Sequence, residues 1–212
     1  MDTLKFILDN CNLTAGDKLP KTFINASRCD LYTLFADLGF TKGAEVGVQR
    51  GRNADDMLKR IPDLKLYLIE PYKNHPFGCS NWKDKQFAKF KREAHDRLDE
   101  KNVEFLEMYS EQAVNHIDDE SLDFVYIDGD HTYRFAMMDI IIWERKVRPG
   151  GIISGHDYGW RNDRRGRFAR VTAAVNDFTA IHKIRPWFLT DENADTFNHE
   201  EEGYPSFFWV KS

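Results

Sequence analysis

Two short motifs carry most of the side chains in this sequence that could do metal or proton chemistry. DGDH begins at Asp128 and HDY begins at His156, and each follows an apolar run. Asp128, His156 and Asp157 are ligands that suit a divalent ion, with Mg²⁺ and its waters favoured and Mn²⁺ as the alternative. Asp130 and His131 lie beside this set and could accept a proton. Clustered carboxylates raise one another's pKa, so the cluster requires a metal or a basic partner.

A second group of residues has the types and spacing of a nucleoside site. The segment EVGVQRG starts at Glu45, and Gly47 and Gly51 let the backbone turn tightly and approach a ligand. Glu70 comes 19 positions after Gly51 (70 − 51 = 19), at the end of the next apolar run, where an acid can accept hydrogen bonds from a ribose. Ser110 follows a further run and could cap a helix and face the base. Any one of these features alone is equally consistent with an ordinary turn or loop.

The elements that must position these residues alternate along the chain. Short, nearly continuous apolar runs predict strands buried on both faces, and the stretches between them predict helices. The strand-like runs are 44–48, 64–70, 103–108, 122–128 and 151–157. The helical stretches are 53–60, 84–98, 111–117, 133–146 and 171–181. This alternation predicts an α/β fold with a mostly parallel sheet and helices on both faces.

Both ends of the chain depart from that alternation. Two strand-like runs, 187–190 and 206–211, have no helix between them, so we expect them to pair antiparallel. Apolar spacing near residues 4–8 and 31–40 predicts two helices outside the sheet. We therefore divide the chain into an N-terminal helical cap, 1–42, and a main domain, 43–212. The cap helices could mediate a homodimer.

Composition narrows the classes of partner. The formal net charge of −5 argues against bulk binding to nucleic acid or to an anionic membrane. The N-terminus lacks the pattern of a secretory signal, and no segment is long and apolar enough to span a bilayer. The three cysteines have no zinc or redox spacing, which favours reduced thiols in the cytoplasm. We expect a cytoplasmic protein that acts on a small molecule.

Five segments together resemble the class I S-adenosylmethionine-dependent methyltransferases. They are EVGVQRG, LIEPY, DFVYIDGDHTY, RPGGIISGHDY and the closing PSFFWVK. The resemblance runs from about residue 43 to the C-terminus and is strongest to the small metal-assisted, macrocin-type sugar O-methyltransferases. It implies a Rossmann-like, seven-stranded, mostly parallel sheet whose last strand is antiparallel.

The resemblance also implies roles at the cofactor end. Glu45, Gly47 and Gly51 would cradle the methionine part of S-adenosylmethionine, and Glu70 would hold the ribose hydroxyls. Ser110 would lie near the adenine. Gln49 stands where many family members have a glycine.

At the catalytic end, the resemblance implies that Asp128 and Asp157 ligate the ion, with Asp128 also bordering the cofactor. His156 falls where some relatives carry a second acid. Asp130 matches a residue proposed as the base, and His131 is the other candidate. A bound cation would lower the pKa of the acceptor hydroxyl and fix its direction for in-line attack on the methyl group.

The acceptor itself is less defined. Tyr158 and the basic stretch that contains Arg164 and Arg165 follow the metal motif directly, and arginine forks recognise phosphate or carboxylate. This arrangement favours an acceptor that carries an anion, and the resemblance to sugar O-methyltransferases implies a hydroxylated, sugar-like one. The alternative is a solvated charge run paired with the acidic segment 191–202.

Three other functions stay open at this point. An NAD-dependent oxidoreductase would use the same fold, but its G-x-G-x-x-G pattern is incomplete here. A metal-dependent hydrolase would use the two acidic motifs without a nucleoside pocket. A non-catalytic module would bind S-adenosylmethionine without methyl transfer.

Overall fold

The computed structural model describes residues 2–78, 80–159, 170–191 and 204–212, and within these ranges one twisted sheet forms the centre of the molecule. Its strands lie in the order β1-β7-β8-β6-β5-β2-β3-β4. In chain order they are β1 (Lys21–Phe23), β2 (Lys42–Val46), β3 (Lys65–Ile69), β4 (Val103–Leu106), β5 (Leu122–Ile127), β6 (Val147–Gly155), β7 (Phe188–Thr190) and β8 (Phe207–Val210).

The helices of the described residues cover both faces of this sheet, as the alternation predicts. They are α1 (Thr3–Asn10), α2 (Arg28–Asp37), α3 (Arg52–Arg60), α4 (Asp84–Leu98), α5 (Ser110–Ala113), α6 (Tyr133–Glu144) and α7 (Val171–Ile181). On β5, Val125 packs in one buried cluster with α6 and α7, while its neighbour Phe124 packs in the other with α2 and α3. Successive residues of a strand point to opposite faces, so a strand in the middle of the sheet is expected to be mostly apolar on both faces.

The strand directions confirm the predicted parallel sheet with an antiparallel last strand. The pairs that β2, β3, β4, β5 and β6 form with one another are all parallel. β8 lies between β6 and β7 and runs antiparallel to both. The expected antiparallel pairing of 187–190 with 206–211 is therefore confirmed.

The N-terminal segment adds a strand that the sequence patterns do not predict. β1 pairs parallel with β7, so the described sheet has eight strands, one more than the resemblance implies. Lys-Thr-Phe is too short to show an alternating pattern. Segment 1–42 therefore contributes a strand as well as helices, and its separation from 43–212 as a domain stays a prediction.

The register places the candidate residues together at the carboxyl ends of neighbouring strands. Val46 pairs with Ile69 on one side and with Ile127 on the other, and Ile127 pairs with Gly155. The residues that follow these strand ends must therefore lie side by side, outside the carboxyl ends of the strands, where open α/β sheets bind ligands. Among the described residues, no helix has the length and apolar character needed to cross a membrane.

Candidate functional site

Gly47 brings the first turn of the site directly against the end of β5. Its φ is +92°, and its N–H donates to the carbonyl oxygen of Ile69 at 2.9 Å. A Cβ atom on Gly47 would lie 2.0 Å from the backbone oxygen of Asp128, where no side chain can fit. A glycine is therefore required here both for the left-handed backbone and for the close approach. Gly51, the other glycine of the motif, is the N-cap of α3.

Glu70 is tied to this turn by two backbone hydrogen bonds. The N–H of Gln49 donates to Oε2 of Glu70 at 3.0 Å, and the N–H of Tyr72 donates to Oε1 at 3.1 Å. Burial raises the pKa of Glu70, and the backbone N–H groups oppose that shift. Gln49 adopts the left-handed conformation that a glycine would adopt, with φ of +47°. Each carboxylate oxygen retains a lone pair, so Glu70 can still accept hydrogen bonds from a ligand.

Glu45 is a fully buried acid with one unsatisfied oxygen. Nδ2 of Asn53 donates to Oε1 at 2.7 Å, whereas Oε2 has no hydrogen-bond partner among the residues that the structure describes. Burial raises the pKa of Glu45 to about 8. The hydrogen bond from Asn53 and the charge of Arg28 lower it, while the charge of Asp128 adds to the increase. An acid in this position favours a cationic ligand, because a positive charge nearby would stabilise the carboxylate.

Ser110 is engaged by side chains that the sequence motifs did not single out. Its hydroxyl donates to Oδ1 of Asp139, and Nε1 of Trp143 donates to Ser110 Oγ at 2.8 Å. Burial raises the pKa of Asp139 to about 7, opposed by the hydrogen bond from Ser110. The signal in the sequence was the acid itself, which interrupts the apolar stretch 135–143. Ser110 thus links α5 to α6, and whether it also meets an adenine stays a prediction.

Asp128, His131 and Asp157 form a compact cluster at the ends of β5 and β6. Each offers a ligand atom, and the three atoms lie within 4.8 Å of one another. Nε2 of His131 is 2.9 Å from Oδ2 of Asp157 and 3.6 Å from Oδ1 of Asp128. Two carboxylates and an imidazole at this spacing can hold a divalent ion or, without one, share the positive charge of the histidine.

The charges of this cluster stabilise one another. Burial by itself would lower the pKa of His131, but the charges of Asp157 and Asp128 and the hydrogen bonds to both raise it well above its ordinary value. Burial would likewise raise the pKa of Asp157, but His131 and His156 bring it far below its ordinary value. In the absence of a bound ion, the neighbouring carboxylates therefore favour the protonated form of His131.

His156 contacts this cluster through Asp157 and is not one of its three members. It is buried, and its Nδ1 is 3.2 Å from Oδ1 of Asp157. Its Nε2 has no hydrogen-bond partner among the described residues. His131 thus joins Asp128 and Asp157 as a candidate ligand, while the expected ligand role of His156 stays a prediction. The contact of His156 with Asp157 would also suit a residue that orients a metal ligand.

Asp130 faces the segment that follows β3. Its Oδ1 accepts the N–H of Thr132 at 3.0 Å. A Cβ atom on Gly78 would lie 2.6 Å from Oδ2 of Asp130, so the loop that leads from β3 to α4 packs against this carboxylate. In the same loop the ring of His75 contacts that of Phe135, with centroids 4.5 Å apart. The loop therefore borders the site on the side of the candidate base.

The residues expected to contact the acceptor are only partly described. Tyr158 follows the metal motif, is half-buried, and donates its hydroxyl to Oδ1 of Asn176 at 3.0 Å. Its ring meets Trp187 edge to face, with centroids 5.6 Å apart. Arg164 and Arg165 lie outside the described residues.

Comparisons with known proteins agree with this geometry. The sequence profile of a methyltransferase domain family matches residues 44–158. Two similar solved structures are the O-methyltransferase TomG from Streptomyces achromogenes, with S-adenosylmethionine, and an O-methyltransferase from Bacillus cereus, with S-adenosylhomocysteine. TomG is 16% identical with a TM-score of 0.58, over 87% of this chain and 80% of its own. The Bacillus enzyme is 18% identical with a TM-score of 0.58, over 100% of this chain and 91% of its own.

The same fold also occurs in an enzyme whose name refers to RNA. An rRNA methylase from Streptococcus thermophilus is 11% identical with a TM-score of 0.56, over 86% of this chain and 93% of its own. No curated protein sequence matches the chain. At these identities the likeness concerns the fold, and the acceptor must be inferred from the residues of the site.

Proposed function

This chain belongs to the methyltransferase domain family, and on that premise we propose that it catalyses metal-assisted O-methylation of a small, hydroxylated, sugar-like acceptor that carries an anion. It is an S-adenosylmethionine-dependent methyltransferase. The methyl carbon of the cofactor is attacked by an acceptor oxygen, the bond from that carbon to sulfur breaks, and S-adenosylhomocysteine leaves.

The observation that carries the proposal is the meeting of four strand ends. Gly47, Glu70, Asp128 and Asp157 follow β2, β3, β5 and β6, which are neighbours in the sheet. The turn at Gly47 and the acid Glu70, which follow β2 and β3, suit a nucleoside. The cluster of Asp128, His131 and Asp157, which follows β5 and β6, suits a cation. A nucleoside and an activated hydroxyl are the two reactants that methyl transfer must bring together.

Residues at the ends of β2 and β3 bind S-adenosylmethionine in this proposal. Gly47 and the turn to Gly51 admit the methionine part, with Glu45 beside it, and Glu70 accepts hydrogen bonds from the ribose hydroxyls. The positive sulfonium and ammonium groups of the cofactor suit a pocket whose carboxylates include Glu45 and Asp128. Ser110 borders the adenine end.

The donor set fits a divalent ion. Asp128 and Asp157 supply oxygen ligands and His131 a nitrogen ligand, which suits Mn²⁺ or a partly hydrated Mg²⁺. When bound, such an ion lowers the pKa of a ligated hydroxyl and fixes its direction. His131 must lose its proton to ligate an ion, so metal binding releases that proton.

Asp130 then accepts the proton of the acceptor hydroxyl. It is adjacent in sequence to the cluster, and it lies against the loop from β3 to α4. His131 is the alternative base if Asp128 and Asp157 alone hold the ion, because an imidazole nitrogen bound to the ion has no free lone pair. Oxygen is the favoured acceptor atom, because this cluster activates a hydroxyl.

The choice of a small acceptor rests on charge. Net charge of −5 disfavours extensive contact with a nucleic acid backbone, although the fold itself also serves an rRNA methylase. Arg164 and Arg165 are the candidates for an anion on the acceptor. Neutralising both should raise the KM of an anionic acceptor and leave that of a neutral acceptor unchanged.

Ligand binding and methyl transfer test the proposal in that order. S-adenosylhomocysteine should raise the melting temperature, and NAD should not. With radiolabelled cofactor, transfer should then be sought on free sugars, sugar phosphates, nucleotide-linked sugars, catechols and rRNA. Stabilisation by NAD alone would favour an oxidoreductase. Tight cofactor binding without transfer to any acceptor would favour a non-catalytic module, and hydrolysis without cofactor would favour a hydrolase.

A further inference from the structure

We propose that Tyr32 and Asn53 are positioning residues, which hold Glu45 so that its second carboxylate oxygen meets the amino group of bound S-adenosylmethionine. The inference rests on the proposed function, because it requires the methionine part of the cofactor to lie beside Glu45. It assigns a role in cofactor binding to the N-terminal segment, which lies outside the residues that the family profile matches.

A continuous line of hydrogen bonds connects the three side chains. Tyr32 lies on α2, is fully buried, and donates its hydroxyl to Oδ1 of Asn53. Asn53, in the first turn of α3, donates through Nδ2 to Oε1 of Glu45 at 2.7 Å. A tyrosine hydroxyl that donates to the amide oxygen leaves the amide nitrogen facing Glu45. Tyr32 therefore fixes the orientation in which Asn53 can hold the acid.

The other oxygen of Glu45 needs a donor that the protein does not provide. Oε2 is buried and has no hydrogen-bond partner among the described residues. A buried carboxylate oxygen without a partner is costly, so a ligand that brings an N–H donor gains from meeting it. The amino acid end of the cofactor carries such a donor with a positive charge, which makes the hydrogen bond stronger.

The same helix also supplies charge to this region. Arg28 is the first residue of α2, is largely buried, and its charge lowers the pKa of Glu45, of Tyr126 and of His156. Its charge therefore favours the ionised form of Glu45, the form that an ammonium group would bind. Helix α2 acts on Glu45 in two ways, through a hydrogen-bonded tyrosine and through a cation.

Two ligands distinguish a positioning role of Tyr32 and Asn53 from a general effect of these residues on folding stability. S-adenosylhomocysteine contains the amino acid end, whereas 5′-methylthioadenosine keeps the nucleoside and lacks that end. Tyr32→Phe removes only the hydroxyl and keeps the ring against Phe35 and Tyr126. By calorimetry, we expect Tyr32→Phe and Asn53→Ala each to weaken S-adenosylhomocysteine about tenfold, the effect of losing one charge-assisted contact, and to leave methylthioadenosine within about twofold.

Controls and a double variant complete the experiment. Tyr67→Phe removes a hydroxyl from a half-buried tyrosine on the neighbouring strand β3 and should change neither affinity. In a Glu45→Gln background, Tyr32→Phe should cost little further affinity, because the two changes act on one contact. Asn53→Ala carries the test if Tyr32→Phe does not fold.

Two results would overturn the inference while the proposed function stands. One is an equal loss of affinity for both ligands, which indicates a structural role. The other is unchanged S-adenosylhomocysteine affinity in both variants. A wild-type protein that binds neither ligand would instead overturn the proposed function, and the inference with it.

Discussion

The backbone oxygen of Asp128 lies 2.0 Å from the position that a Cβ atom on Gly47 would take. Asp128 belongs to the candidate metal cluster, and Gly47 belongs to the candidate cofactor turn. The two halves of the site are therefore in direct backbone contact. A change in the turn must move the loop that carries Asp128.

Gly47→Ala tests this contact. The added methyl collides with backbone, so we expect a loss of about 3 kcal/mol or more in the free energy of unfolding, together with loss of S-adenosylhomocysteine binding. Gly39→Ala is the matched control, because Gly39 has φ of +71° and open space around its Cβ position. It should cost only about 1 kcal/mol, from backbone strain alone. Urea denaturation measures both values, and equal losses would contradict the predicted collision.

Asp128→Ala and Asp157→Ala test the cation cluster. We expect each to lower kcat at least about 100-fold, because the acceptor hydroxyl is no longer activated, while S-adenosylhomocysteine affinity changes by less than about fivefold. EDTA should reproduce the loss, and added Mg²⁺ or Mn²⁺ should reverse it. Asp119→Ala, at an exposed acid that pairs with Arg145 and Lys146, is the control and should retain activity. Full activity in EDTA would reject the metal and leave methyl transfer standing.

Asp139 should make stability depend on pH. Its folded pKa of about 7 exceeds the ordinary value of 3.8, so the folded state holds the proton more tightly. This stabilising contribution is complete below about pH 4 and is lost as the pH rises through 7, at up to about 1.4 kcal/mol per pH unit. Asp139→Asn, which keeps an acceptor for Ser110, should remove it.

Urea denaturation of both proteins at pH 5 and pH 8 measures the effect. The free energy of unfolding of the wild type, minus that of Asp139→Asn, should fall between the two pH values. Other titrating groups cancel in this difference. A difference that stays constant would show that Asp139 is ionised throughout.

Cofactor binding should release a proton from Glu45. At pH 7 the free protein holds this carboxyl mostly protonated, because its pKa is about 8, and a neighbouring ammonium group favours the ionised form. S-adenosylhomocysteine affinity should therefore rise from pH 6 to pH 8, by at most about tenfold per unit. Calorimetry in two buffers of different ionisation enthalpy counts the protons released. Glu45→Gln should lower the number of protons released on S-adenosylhomocysteine binding. An unchanged number would show that the released proton comes from another group.

Much of the fold was predictable, because it depends on patterns that are local in the chain. The buried strand β5 reads as a nearly continuous apolar run that only Asp123 interrupts. The sequence between the last two strand-like runs has no helical pattern, which favours their antiparallel pairing. In a parallel sheet the carboxyl ends of the strands lie on the same side. The alternation of strands and helices therefore predicts that Glu70 and Asp128 lie close together.

The unpredicted parts depend on orientation and on distant partners. Asp157 adopts φ of +61°, and its side chain groups with Asp128 and His131, while the neighbouring His156 contacts Asp157. Asp139 could be noticed as an acid in an apolar stretch, but its partner Ser110 comes from another helix. Tyr32 has an aromatic side chain typical of a core residue, and its hydroxyl contact with Asn53 required the packing of α2 on α3.

The short strand β1 also determines how far the chain can be truncated from its N-terminus. It occupies one side of β7, and β8 occupies the other, so β7 has a neighbour along both of its edges. Shortening the chain to 43–212 would uncover a row of unpaired N–H and C=O groups beside the apolar side chain of Phe188. Such an edge is a template for another molecule to add a strand, and the shortened protein would tend to polymerise. The N-terminal segment that carries β1 is therefore expected to protect the molecule against aggregation.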